Sequence, residues 1–332
     1  MHAVPRLMTL AWCCALPGAT ALAAPTTVGL GVGTQCEISF GSSGANCDSR
    51  SLRTSDRGPG VRLTLQDGAI DPLSGARNSA TAAATATWGA LGVATGAQGN
   101  SASMPGSISP HARVSVTAEA GAAFADRLRV DAPGRAGDTG TLHVSLRLDG
   151  SLSALDASLN VGQASRDAVN ASLTVDLRAY DADLMHRLAT SFEEVEAAAY
   201  GNGDSVVRGG PLPRLVTMDI PVVFGREFWL QASLSAYSAV ALQAPALSPT
   251  DPAYAFARSG QADTSFMHTL AWNGVGSLLD STGQPVAQYG LWSASGTDYR
   301  VPYTAVPVPE LAAAWLMLAG VIGLAGVRRL RR

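Results

Sequence analysis

An all-β fold is predicted for this 332-residue chain by three observations: apolar and polar residues alternate in segment after segment, turn residues close each segment, and only 15% of residues are charged in a composition dominated by small and β-compatible side chains. The expected architecture is an antiparallel β-sandwich of jelly-roll type with one short helix. A signal peptide precedes it and a transmembrane helix follows it. The expected divisions are residues 1–23 as leader, 24–58 as a strand and disulfide loop, 59–304 as the sandwich, and 305–332 as the tail.

The leader carries Arg6, the apolar run Leu7–Leu16, a Pro17-Gly18 break and small residues up to Ala21-Leu22-Ala23. This order of basic, apolar and small-residue regions marks export, with cleavage between Ala23 and Ala24. The translocon and signal peptidase are the partners it implies. Cys13 and Cys14 leave with the leader, so Cys36 and Cys47 remain as a pair in an oxidising compartment and are expected to form a disulfide. Closing so short a loop stabilises by about 2 to 3 kcal/mol in the chain-entropy picture.

Within the body, Val61–Leu65 alternates as a strand. Leu73–Pro110 is nearly all Ala, Thr, Ser, Gly and Asn around Trp88 and Leu91, which suits either a thinly packed strand pair or a long loop. Further strands are expected where Val114, Val116 and Ala118 share a face, at Leu128 and Val130, and through Leu142, Val144, Leu146 and Leu148. Others are expected at Leu173–Leu177, Leu215–Phe224, Phe228–Ala236, Ala262–Leu270, Gly276–Leu279 and Val286–Trp292, with Asp280–Pro285 as a hairpin turn. One stretch breaks the period of two. Leu184, Leu188, Phe192, Val195 and Ala199 recur at three or four residues between Asp183 and Gly201, which predicts a helix.

At the C-terminus, Leu311–Val327 is 17 uncharged residues, and such a helix spans about 26 Å, close to the apolar thickness of a bilayer. Arg328, Arg329, Arg331 and Arg332 follow and hold that end in the cytoplasm. Before the helix stands Val306-Pro307-Val308-Pro309-Glu310. A short Pro-Glu motif, an apolar helix and an arginine cluster in this order resemble the sorting tail of PEP-CTERM proteins, with Leu311 where the pattern usually has a second proline. The resemblance implies a Gram-negative exported protein processed by an exosortase in the membrane. It covers Val306–Arg332. Ala122-Ala123-Phe124-Ala125-Asp126 and the Ala262–Leu270 and Ser293–Tyr299 segments are similar to strands and turns of many bodies in this group, which implies a β-sandwich and no particular activity.

All 23 basic residues are Arg; one leaves with the leader and four with the tail, so a processed body keeps 18 against 26 acids and a net charge of −8. Scattered arginines on an acidic body give no footprint for a phosphate backbone, so nucleic acid is not an expected partner. The motifs His-Glu-x-x-His and Gly-x-Ser-x-Gly and a phosphate loop are absent from the sequence, and His111, His143, His186 and His268 stand isolated in it. No catalytic role and no cofactor are expected. Ca²⁺ is the one cation the acidic turns could hold, through Asp181, Asp183 and the turn Gly201–Asp204. Glu193, Glu194 and Glu196 read as a solvated helix face. Trp229, Trp272 and Trp292 are candidate sugar contacts, because aromatic faces offer flat apolar surface to a sugar ring. The expected function is a structural or adhesive role in the extracellular polysaccharide or biofilm layer. A carbohydrate-binding module is the alternative, and behind it a polysaccharide-active hydrolase with two carboxylates.

Overall fold

The computed structural model describes residues 26–40, 43–58, 60–70, 77–102, 111–156, 167–200, 204–243 and 257–304. The leader with its Ala23/Ala24 junction and the whole sorting tail, from Val306 to Arg332, lie outside the described residues. Among the described residues no helix is long and apolar enough to cross a membrane.

The strands are β1 (Thr26–Phe40), β2 (Ser43–Gly58), β3 (Gly60–Ile70), β4 (Arg77–Thr87), β5 (Ala90–Ala102), β6 (His111–Asp131), β7 (Thr139–Leu148) and β8 (Ser151–Asp156). Then follow β9 (Ala168–Asp181), β10 (Arg187–Tyr200), β11 (Ser205–Arg208), β12 (Arg214–Val223), β13 (Glu227–Gln243), β14 (Ala257–Asp280) and β15 (Gly290–Ser293). They form two antiparallel sheets. Sheet A runs β11-β10-β9-β13-β6-β1-β2, with β15 added to β6 beyond the end of β1. Sheet B runs β12-β7-β14-β5-β4-β3, with β8 on β14 in line with β7. The two sheets share one apolar core between their inner faces.

The period of two sets which residues enter that core. On β13, Phe228, Leu230, Ala232, Leu234 and Ala236 are buried while Trp229, Gln231, Ser233 and Ser235 face outward. The small-residue stretch resolves as a strand pair. Ala80, Ala82, Ala84 and Ala86 of β4 are buried and pair in register with β5 across a turn at Trp88-Gly89, where Gly89 has φ +88°. Inward glycines bring the sheets close: a Cβ at Gly260 would meet Val169 and Val240 side chains at 2.8 Å, and one at Gly99 would meet Val114 at 3.1 Å.

Three differences from expectation are physical. The segment predicted as a helix is strand β10, paired along its length with β9; Val195, Ala197 and Ala199 turn inward, while Phe192 is 60% exposed. Its apolar spacing of three to four residues mixes two inputs. Leu184 belongs to the preceding turn at φ 60°, and Phe192 points away from the core. The free edge of β9 then gains more from a full ladder than the segment's helical propensity offers. Glu194 and Glu196 therefore share the outer face, and Glu193 turns the other way to pair with Arg214 at 2.9 Å.

Second, β14 is a single strand where two were expected. Its register with β5 jumps from Phe266↔Val93 to Leu270↔Leu91, so Met267–Thr269 bulge opposite Gly92 alone. A Cβ at Gly92 would lie 2.0 Å from the Met267 carbonyl oxygen, so this position admits only glycine. Third, Val286–Tyr289 is not strand. Val286 closes the Asp280–Pro285 turn by donating to Leu278, and pairing with β6 begins at Gly290.

A buried hydroxyl cluster locks the two sheets in register. Thr95 Oγ1 lies 2.7 Å from both Ser238 Oγ, in sheet A, and Thr264 Oγ1, its neighbour in sheet B, and the Thr95 N–H donates to Thr264 Oγ1 at 2.9 Å. Replacing Thr95 by Val removes the hydroxyl that joins Ser238 to Thr264 without changing shape, leaving each, among the described bonds, with only its bond to the Thr95 backbone. We expect a loss of about 1 to 3 kcal/mol in urea unfolding; an unchanged midpoint would show that the cluster does not fix the sandwich.

Candidate functional site

Among the described side chains, the aromatics of the strands divide between the core and one surface. Tyr180, Phe192, Tyr200, Trp229, Tyr237 and Trp292 all lie on the outer face of sheet A. The outward residues of sheet B around β3, β4, β5 and β14 are instead Thr, Ala, Gln, Gly, Ser and Asp, over a shallow depression of about 450 Å³.

Three of these aromatics, Tyr180, Trp229 and Trp292, converge at one end of sheet A, where the cross-strand register sets them in two rows. The first row reads Tyr180–Trp229–Arg127, on β9, β13 and β6. The second reads Glu227–Arg129–Trp292, on β13, β6 and β15. Two strand spacings across and two residues along put the Trp229 and Trp292 backbones about 12 Å apart. Trp292 is 38% exposed and the Arg129 guanidinium stacks over its ring at 5.4 Å. Trp229 is half-buried, and its Nε1–H donates to the Ala182 carbonyl at 3.3 Å, which fixes the indole against the surface.

Polar groups between the rings are paired. Arg127 meets Glu227 at 3.1 Å, and Arg129 holds both oxygens of Asp131 through Nε at 3.0 and 3.1 Å. Beyond Trp292, a groove of about 570 Å³ opens between Asp131, Pro133, Gln288 and Tyr289. Farther along the face, burial and then the Glu119 charge push the Tyr237 phenol up.

Of the three tryptophans expected to contact sugar, the structure brings Trp229 and Trp292 together and removes Trp272. Trp272 is 2% exposed, packs edge-on against Tyr299 at 5.0 Å, and donates its Nε1–H to the Tyr299 carbonyl at 2.6 Å. No ligand ring can reach it. The bulge of β14 spends four residues against two on β5 and so keeps the alternation, and Phe266, Leu270 and Trp272 all face inward. Arg127, Arg129 and Tyr180 were missed, because only the pairing of β6, β9, β13 and β15 brings them beside the tryptophans.

The same end of the sandwich holds a buried carboxylate. Asp126 occupies an inward position between Phe124 and Leu128 and is fully buried. One oxygen accepts from the backbone N–H groups of Arg127 at 2.8 Å and Ser295 at 3.1 Å, and the other from the Ser295 hydroxyl. Burial raises its pKa above the ordinary 3.8, and these hydrogen bonds oppose the rise. Through Ser295 and Trp272, the final segment Ser293–Thr304 is tied down onto the sheets.

Other chemistry-bearing residues are satisfied locally. His143 Nδ1 lies 2.5 Å from Asp219 on the outer face of sheet B, and Ser277 is its cross-strand neighbour on the other side. That proximity across three strands is invisible in the sequence, but the described hydrogen bonding of the ring goes to Asp219. Asp181 accepts from the Met185 and His186 backbones and pairs with His186 Nδ1 at 2.8 Å, which lowers its pKa. Asp181 and Asp204 stand at opposite ends of the β9–β10–β11 meander, so they do not share a calcium ion. Among the described residues no group of three metal-ligating side chains converges. Cys36 and Cys47 are direct cross-strand partners in the β1–β2 hairpin. No family model, curated protein or solved structure matches the chain.

Two outcomes follow from this geometry. Oxidation with N-bromosuccinimide should modify Trp292 and Trp229 while Trp272 resists, read by peptide mass; early modification of Trp272 would contradict its burial. Because the folded chain binds the Asp126 proton more tightly than the unfolded chain, this group favours folding fully below the unfolded pKa and loses that contribution as pH rises through the raised folded value. Asp126→Asn should therefore flatten this part of the stability–pH curve and keep most of the stability at neutral pH. Asp126→Ala, which leaves the Ser295 donors unmet, should lose about 1 to 3 kcal/mol.

Proposed function

We propose that this chain is an exported surface or matrix protein, sorted by an exosortase through its C-terminal tail, whose sandwich adheres to extracellular polysaccharide through the outer face of sheet A. Its role is adhesive rather than catalytic. The observation that supports adhesion is the pair Trp229 and Trp292, set about 12 Å apart on one face with arginines between them, a spacing suited to alternate sugar rings of an extended chain rather than adjacent ones. Aromatic faces bury the apolar face of a sugar ring, and the guanidinium and carboxylate groups beside them hydrogen-bond to its hydroxyls.

Sorting rests on the leader, on Pro309-Glu310 ahead of the apolar Leu311–Val327, and on the four closing arginines. The clamp on Ser293–Thr304 supports this reading from the folded side, because the tail leaves from a fixed point on the body. Export also fits a Cys36–Cys47 disulfide across β1 and β2, since directly opposed strand residues have Cα atoms within disulfide range.

Intact mass of the protein from membranes and from medium tests sorting. A medium form that begins at Ala24, ends near Pro309 or Glu310 and is two hydrogens light is expected. Recovery of the full-length chain from membranes alone would overturn release. For adhesion, retardation in native gels that contain polysaccharide should be lost in the double variant Trp229→Ala/Trp292→Ala, with melting unchanged. Equal retardation of that variant would move the binding elsewhere.

A further inference from the structure

The charges around Trp229 and Trp292 are arranged to cancel, and from this we infer that the face selects neutral glycans and rejects acidic ones, with Glu227 and Asp131 as the residues that set this selectivity. This inference rests on the glycan-binding reading of the face. Every arginine within the two aromatic rows already has a carboxylate of its own. Arg127 is paired with Glu227, and Arg129 is held at both Asp131 oxygens while it covers Trp292. One strand over, Arg178 is paired with Asp176. Arg187, opposite Tyr180 on β10, and Arg226, in the turn before β13, are exposed at the margin of the rows and outside them.

A uronate at the remaining guanidinium nitrogens beside Trp229 or Trp292 would lie next to Glu227 or Asp131 as a like charge, on arginines whose charge is already offset. The processed body adds to the repulsion with its net charge of −8. A neutral sugar meets no such obstacle. Its hydroxyls accept from the guanidinium N–H groups that point away from the paired carboxylates, and donate to carboxylate oxygens, with no ion pair broken. Binding of this kind is little screened by salt, because no net charge is neutralised. Removing the two carboxylate charges while keeping their shape frees Arg127 and Arg129 next to the half-buried Trp229 and the exposed Trp292, which turns the face into an acceptor for acidic chains.

Native gels containing a neutral β-glucan or galactomannan, compared with gels containing alginate or polygalacturonate, test this at low and high salt. The wild-type protein is expected to be retarded by a neutral polymer to the same extent at both salt levels, and not by the acidic ones. Glu227→Gln combined with Asp131→Asn should gain about tenfold or more in retardation by the acidic polymers, and this gain should vanish at high salt. Wild-type retardation by the acidic polymers alone would overturn the selectivity and leave the face as a glycan site. Retention of wild-type behaviour by the double variant would remove Glu227 and Asp131 from that role. Absence of retardation in every gel would overturn the glycan reading itself.

Discussion

The close approach of the two sheets at their small-residue end is the constraint on which the remaining architecture depends. Gly99 and Gly260 face Val114, Val169 and Val240 at distances that leave no space for a Cβ to be added without movement, and the alanines of β4 extend this thin zone. Toward the other end the core thickens, with Phe124, Phe224, Phe266, Trp272 and Tyr299 all buried. Sheets held close at one end and propped apart at the other can have only one relative register. The Thr95–Ser238–Thr264 cluster sits where that register is decided, and its hydroxyls are satisfied only when β13 lies in its observed place.

Position of β13 then determines the candidate site. This strand pairs with β6 on one side and β9 on the other, so a slip of one residue would send Trp229 inward and expose Phe228 and Leu230. Trp292 depends on the same frame by a second route. It is carried by β15, whose pairing with β6 is backed by the contacts of Ser295 with the buried Asp126. The carboxylate in the core, which costs stability when ionised, thus holds in place both an aromatic of the outer face and the segment that leads to the tail.

Wherever one face of a strand is apolar, period two made the fold legible, and β6, β7, β9, β12 and β13 follow it closely. It failed where the local pattern and the partner disagree. Residues 184–199 carry a helical spacing only because an exposed Phe192 falls by chance in step with Leu188 and Val195. The face of Trp272 follows by twos from Phe266, because the bulge opposite Gly92 keeps the alternation, and the pattern of Phe266, Leu270 and Trp272 already marks it as core. The outward face of Trp229 follows from its buried neighbours Phe228 and Leu230, because the strand around it is regular. Its companions were not legible in that way. Arg127 is about a hundred residues from Trp229 in sequence, and no local signal connects residues joined only by strand order.

Local pairing of charge, by contrast, is written in the sequence once the strands are known. Arg129 and Asp131, Arg147 and Asp149, Asp176 and Arg178, and Asp298 and Arg300 are each two residues apart, and each pair is joined by hydrogen bonds. In an extended chain that spacing puts both side chains on one face. A chain without lysine suits the device, since the planar fork of arginine fits a carboxylate side-on, whereas an ammonium presents a point charge that water solvates strongly. Exposed pairs of this kind contribute little stability, so their main effect is on the field outside the protein. In these four pairs the arginine is neutralised by a carboxylate two residues away, and the surface there keeps hydrogen-bond donors and acceptors while projecting little local charge. On sheet A those paired groups lie between outward-facing aromatic rings, and that combination favours an uncharged, hydroxyl-rich ligand over a polyelectrolyte.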